Sequence, residues 1–477
     1  MVPLLDQLQR LAQGYRGFHT PGHQRGQGAP TGLREWWGEA VFTADLAEIP
    51  GLDNLLQPEG ILQEAQARVA EIFGAEHTYF LINGATAGVL AALLSVHQEN
   101  GIILLPRCVH QSVIHGLILT GAKPIFITPE WDAQQQVWGG IDPEKLRVAI
   151  QQNCNHNITA LVLNSPTYKG VCSAVKECIE IAHRFDIPVI VDEAHGAHFP
   201  FHPQLPDSAL DWGADLVIHS THKVLTSLTQ SALLHQQGKR LHPQRIQACL
   251  RLVQSSSPSY LLLASLVATA EQMAAQGEAL LTQLLENTAD LTAKINQIPG
   301  LKTLWINFRQ PGFVSQDPTR LVIQTGGLGL TGFALDELLH HQYHITAEFP
   351  DYGDLTFILS LGHTAADMQH LFNALQEISH TVQPEKFLPT IPLPPTGEFV
   401  LSPRNAFFSS HQYRPWSEAV GSISAATISA YPPGIPVLLP GELITPESID
   451  YLRRIAEMGG AIVGCTSEQK IAVVSNW

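Results

Sequence analysis

Two stretches of the chain, PVIVDEAHGAHF at residues 188–199 and DLVIHSTHKVLTSLTQ at residues 215–230, each place a chemically capable side chain just beyond an apolar run. Runs of this kind read as buried strands, and open α/β sheets bind ligands outside the carboxyl ends of their strands. Asp192 and Lys223 are therefore expected at one such edge. A lysine there can condense with an aldehyde, and a carboxylate can keep a pyridine nitrogen protonated so that the ring accepts electrons. That is the chemistry of a pyridoxal cofactor. Taken singly the two residues say little, since a lysine after a strand is usually a solvated end and an aspartate often a cap or turn former.

Such a cofactor also needs a cradle for its phosphate. NGATAG, between an apolar strand and an apolar helix, offers one: the free N–H groups around Ala85 and Thr86, with the Thr86 hydroxyl, suit a dianion. A glycine-containing turn is just as compatible with a turn and nothing more. Ser220 and His222 flank Lys223 and could add phosphate contacts or simply hydrogen-bond within their loop. His110, in PRCVHQS, opens a helix after a strand; it could lie on a cofactor ring or cap its own helix. Ala194 is small enough to let a ring lie flat, and His195 is placed to touch ring, substrate or neither.

The elements that must position these residues alternate from about residue 60 onward. ILQEAQARVAEIF sets Leu62, Ala65, Val69, Ile72 and Phe73 on one helical stripe that Gly74 ends, and strand, helix, strand patterns follow with short turns. The order predicts an α/β fold, a mostly parallel sheet covered by helices. A long helical stretch from Tyr260 leads to a change of pattern at Pro299 and Gly300, where LKTLWINF, TRLVIQT and LTFILSLG predict strands of a smaller α+β domain. FLPTIPLPPTGEF reads as a linker, and the prolines of YPPGIPVLLPGE force a turn and extended chain. The segments are thus 1–59, an N-terminal segment; 60–298, a large domain; 299–380, a small α+β domain; and 381–477, a C-terminal domain.

Composition narrows the function classes. With 45% hydrophobic and 15% charged residues the chain is globular, and its net charge of −16 argues against a nucleic-acid partner. No segment has the apolar length of a membrane span, no leader is evident, and six scattered cysteines suggest neither disulfides nor zinc, so a cytoplasmic location is expected.

These motifs together resemble the Orn/Lys/Arg decarboxylase family, in its short form without an N-terminal response-regulator-like domain. The resemblance rests on FHTPGHQRG at 18–26, DLAEIPGLDNLLQPEG at 45–60, NGATAG, NSPTYKGV, VDEAHGAHF, STHKVLTSLTQ and YPPGIPVLLPGE, and it covers nearly the whole chain. It implies a fold type I enzyme that uses pyridoxal 5'-phosphate to decarboxylate arginine, lysine or ornithine. By the same resemblance Lys223 holds the cofactor covalently, Asp192 pairs with the pyridine nitrogen and His110 stacks on the ring. Ala85, Thr86, Ser220 and His222 match phosphate-site positions. His195 or Lys223 would return a proton to the α-carbon, while the FHTPGH loop (His19, His23) and Glu348 would face the substrate. A homodimer or assembly of dimers is implied. Gln111 departs from the pattern, standing where many members have lysine.

Other readings fit these residues less well. DEAH at 192–195 also occurs in helicases, but no GxxxxGK[ST] run accompanies it, and the HTPGH and HGAH histidines lack the context of a metal site. Transamination or aldol cleavage would use the same cofactor residues. A catalytically silent assembly subunit would have no need of Lys223, Asp192 and His110 together.

Overall fold

The computed structural model describes residues 3–13, 16–382, 393, 395–431 and 435–475. Much of the linker stretch and two prolines of YPPGIP, Pro432 and Pro433, lie outside the described residues. The chain forms two compact units, each built from two segments: Met1–Val96 with Pro188–Thr282, and His97–Ile187 with Gln283–Trp477.

In the first unit four strands lie in the spatial order His77–Leu81, Ala232–Gln236, Leu216–His219, Val189–Asp192. The first two pairings are antiparallel, and the last is parallel, with Ile190 opposite Leu216 and Asp192 opposite Ile218. Every residue of Val189–Asp192, Leu216–His219 and Ala232–Gln236 is buried. This explains why the first two of these strands read as unbroken apolar runs rather than alternating ones. Helix Ile61–Phe73 buries Leu62, Val69 and Phe73 and stops at Gly74, whose φ of 73° is open to glycine at no steric cost. Helix Gly84–Ser95 is apolar all round, and a Cβ on its Gly88 would come within 2.7 Å of Leu81 Cδ1, so a larger residue there would make the Leu81 side chain shift.

In the second unit Ile102–Pro106 pairs in parallel with both Lys123–Ile127 and Ile158–Asn164. Helices Gln111–Thr120, Pro143–Gln152 and Val175–Arg184 follow strands in turn. A four-stranded antiparallel sheet holds Lys302–Thr303, Arg320–Gln324, Asp354–Ile358 and Phe349–Pro350, with helices Gly332–Tyr343 and Ala365–Thr381. The predicted strand LKTLWINF is only two residues long here; past Leu304 the chain leaves the sheet, and Trp305 is exposed. The C-terminal part has its own core around Trp416, Ile428, Leu438, Leu452, Ile471 and Val473. The long helix predicted from Tyr260 runs unbroken as Tyr260–Ile295. No helix among the described residues is long and apolar enough to cross a membrane.

Candidate active site

Most of the predicted cofactor residues fall in the first unit, at or just past the carboxyl ends of adjacent strands. Asp192 is the last residue of its strand and is buried; its Oδ1 accepts a 3.2 Å hydrogen bond from the Ala194 backbone N–H. Next door, strand Leu216–His219 leads through Ser220 into a single helical turn, Thr221–Val224, that carries Lys223. The Ser220 N–H donates to the Ala194 carbonyl at 3.3 Å, which ties the two strand ends together. The parallel pairing of these strands therefore delivers Asp192, Ala194, Ser220 and Lys223 to one edge.

Lys223 Nζ lies 3.1 Å from His195 Nε2. The lysine's loop is fixed from behind: Thr221 Oγ1 donates to the Ser231 carbonyl at 3.2 Å, Ser227 Oγ donates to Thr221 Oγ1 at 2.7 Å, and His222 Nδ1 donates to the same carbonyl at 2.8 Å. His222 thus makes the loop hydrogen bond that its alternative reading foresaw.

The start of helix Gly84–Ser95 has the features of an anion cradle. No side chain caps it. Its N-cap, Asn83, instead accepts a 3.1 Å hydrogen bond from the Ser255 N–H through Oδ1. Thr86 is exposed in the first turn and Ala85 is half-buried. The turn itself is held by Gln254 and Gln230: Gln254 Oε1 accepts from Ile82 N–H at 2.9 Å, and the Gln230 carbonyl accepts from Gly84 N–H at 2.9 Å. One unit thus presents a lysine, a buried carboxylate and an uncapped helix start, a donor set that fits a phosphorylated pyridine aldehyde.

Behind this edge runs a buried polar chain that the sequence reading did not single out. Glu193 Oε2 accepts from Ser208 Oγ at 2.6 Å and lies 2.7 Å from His219 Nε2, while Oε1 accepts from Ala209 N–H at 2.9 Å. His219 Nδ1 is 3.1 Å from His235 Nε2, and His235 Nδ1 is 2.8 Å from Thr78 Oγ1. The chain starts just past the end of strand Val189–Asp192 and crosses the other three strands of the unit. Burial, with His219 adjacent, pushes the His235 imidazole well below the ordinary histidine range.

The remaining predicted residues are placed as follows. In the first unit His19 is exposed, whereas His23 is half-buried with Nε2 3.1 Å from Asp45 Oδ2 and Nδ1 accepting from Gly26 N–H at 3.2 Å. In the second unit His110 is the N-cap of helix Gln111–Thr120, its Nδ1 accepting from Ser112 N–H at 3.2 Å. Glu348, also in that unit, is exposed and borders a groove with His344, His363 and Asp367. A carboxylate so placed interacts with a cation through solvent, where the attraction is weak.

Comparison with known proteins places the chain in a family. Residues 2–367 match the model of the Orn/Lys/Arg decarboxylase major domain, and residues 397–470 match that of the family's C-terminal domain. The chain is 36% identical over 456 residues to the arginine decarboxylase of Bacillus subtilis, spanning 94% of this chain and 92% of that protein. It is 35% identical over 460 residues to the arginine decarboxylase of Bacillus anthracis, spanning 94% of this chain and 91% of that protein. The structure of the constitutive lysine decarboxylase of Escherichia coli superposes with a TM-score of 0.86 at 20% identity, covering 100% of this chain and 82% of that one, a likeness of fold. The chain belongs to the Orn/Lys/Arg decarboxylase family.

Proposed function

We propose that this protein decarboxylates a basic amino acid, arginine first among them, with pyridoxal 5'-phosphate held at Lys223. The observation that carries the reading is the convergence of Lys223, Asp192 and the uncapped start of helix Gly84–Ser95 in one unit. Bound there, the cofactor supplies an electron sink for the pair released when the Cα–carboxylate bond breaks.

The chain's own residues then have distinct tasks. Lys223 provides the covalent tether, and Asp192 holds a proton on the ring nitrogen. The first-turn N–H groups at Ala85 and Thr86, with Ser220, bind the phosphate. His195, at 3.1 Å from Lys223 Nζ, is placed to pass a proton to the α-carbon or to the lysine. Arginine is favoured over lysine and ornithine because relatives at 35–36% identity bear that name. A homodimer or assembly of dimers belongs to the same reading; Phe18 at 99% and Trp36 at 80% exposure are apolar surface of the sort a second copy covers. A cytoplasmic location accords with six free cysteines.

The test is to incubate the purified, cofactor-loaded protein with arginine, lysine and ornithine separately, following carbon dioxide and amine. Equimolar release of both from arginine is expected. Transfer of the amino group to a keto acid, or cleavage without carbon dioxide, would contradict the proposal.

A further inference from the structure

The second unit contains a cavity of about 130 Å3. That is roughly ten times the ~10–15 Å3 needed to hold one water. Its walls include Trp131, Trp138, Tyr168 and Tyr451. The two tryptophans face each other across a short hairpin, ring centroids 4.9 Å apart, which Asp132 shapes by accepting from the N–H groups of Gln134 and Gln135.

The charged groups lining this cavity do not balance. Lys169 Nζ donates to Asp351 Oδ2 at 2.8 Å and to Asp354 Oδ2 at 2.7 Å, so one cation serves two carboxylates. No arginine, histidine or second lysine lines the cavity among the described residues. The Asp354 side chain is 7% exposed, and its Oδ1 has no hydrogen-bond partner among them. A buried carboxylate oxygen left without a donor is costly, and aromatic walls stabilise a cation further through their ring faces. Burial and the neighbouring Asp351 push Asp354 upward while Lys169 opposes them, as expected of a cluster one positive charge short.

We propose that this cavity binds a small organic cation, an alkylguanidinium or alkylammonium group, with its charge on Asp354 and its chain between the indole and phenol rings. None of the residues assigned to the cofactor lines it. The binding itself is independent of the reaction proposed above. Only the choice between two sources of the cation, a basic amino acid or the amine formed from it, rests on that reading.

The experiment is calorimetric titration of the intact, cofactor-loaded protein with n-butylguanidinium and with the neutral n-butylurea. The cation should bind, and the urea should bind at least about thirtyfold more weakly, since a charge-assisted hydrogen bond is worth about twice a neutral one. Asp354→Asn should lower affinity for the cation about ten- to a hundredfold and leave the urea unaffected. Equal affinities, no binding of either probe, or an unchanged affinity in folded Asp354→Asn protein would overturn the proposal. Should that variant not fold, the two-probe comparison stands without it, and Trp138→Leu should weaken the cation several-fold. In Lys223→Ala protein, which on the above reading cannot turn over the competitor, displacement of the probe by arginine but not by its decarboxylated amine assigns the cavity to the amino acid. Displacement by the amine assigns it to a free amine, and displacement by neither would refute both sources, the binding itself being decided by the two-probe comparison. Because the readout is heat of binding, a protein that binds the cation yet releases no carbon dioxide would refute the enzymatic reading alone.

Discussion

Lys223 Nζ and His195 Nε2 lie 3.1 Å apart, brought together by the parallel pairing of the strands that end at Asp192 and His219. On the proposed reading, that contact lets His195 exchange a proton with Lys223. His195→Gln is expected to keep the cofactor and its visible absorption but to lower kcat about 10²- to 10⁴-fold with little change in KM, the range of a general acid or base. An unchanged kcat and pH profile would remove His195 from the chemistry.

Asp192→Asn tests the proposed pairing of Asp192 with the ring nitrogen. A neutral partner no longer favours the protonated ring, so single-turnover decarboxylation with saturating cofactor should slow by several orders of magnitude while cofactor binding persists. Near-normal turnover would leave Asp192 with only its hydrogen bond to the Ala194 N–H.

Glu193 is expected to matter through structure. Glu193→Ala strips partners from His219, Ser208 and the Ala209 N–H in a fully buried setting, and should cost about 3–5 kcal/mol of stability. Denaturant unfolding measures this directly. A loss below about 0.5 kcal/mol would show that the buried chain does not hold the strand ends.

A pH dependence follows from Glu442, whose Oε2 lies 2.9 Å from Arg107 Nη2. Burial lifts this carboxyl from 4.5 to about 7 against the opposing pull of Arg107. Between those two values the folded protein retains a proton that the unfolded chain has lost, so this group's contribution makes stability fall as pH rises through the window and level off above it. The span corresponds to on the order of 3 kcal/mol. Glu442→Gln should flatten the window, as seen in unfolding curves at about pH 5 and about pH 8; equal slopes in both proteins would contradict this.

The parts of the site legible in the sequence were those that local pattern determines. Strands buried on both faces announce themselves as apolar runs, so Asp192 and Lys223 could be placed at strand ends, and Ala85 and Thr86 at a helix start. The strand Ala232–Gln236 was not anticipated, because His235 and Gln236 interrupt its apolar run; both are buried, satisfied by Thr78 and by the Leu241 carbonyl. Glu193 and Lys169 escaped for a related reason. Each reads as a solvated charge, and the partners that make burial tolerable, His219 for one and Asp351 with Asp354 for the other, are brought in by tertiary pairing. Glu348 shows the converse, a carboxylate chosen from local context that the fold leaves exposed.

The most direct measurement compares wild-type and Lys223→Ala proteins, each incubated with pyridoxal 5'-phosphate and arginine, for visible absorption of lysine-bound cofactor and for carbon dioxide release. The account predicts both signals in the wild type and neither in the variant, with the variant folded. Carbon dioxide release by Lys223→Ala at the wild-type rate, or none from cofactor-loaded wild type with arginine, lysine or ornithine, would contradict it.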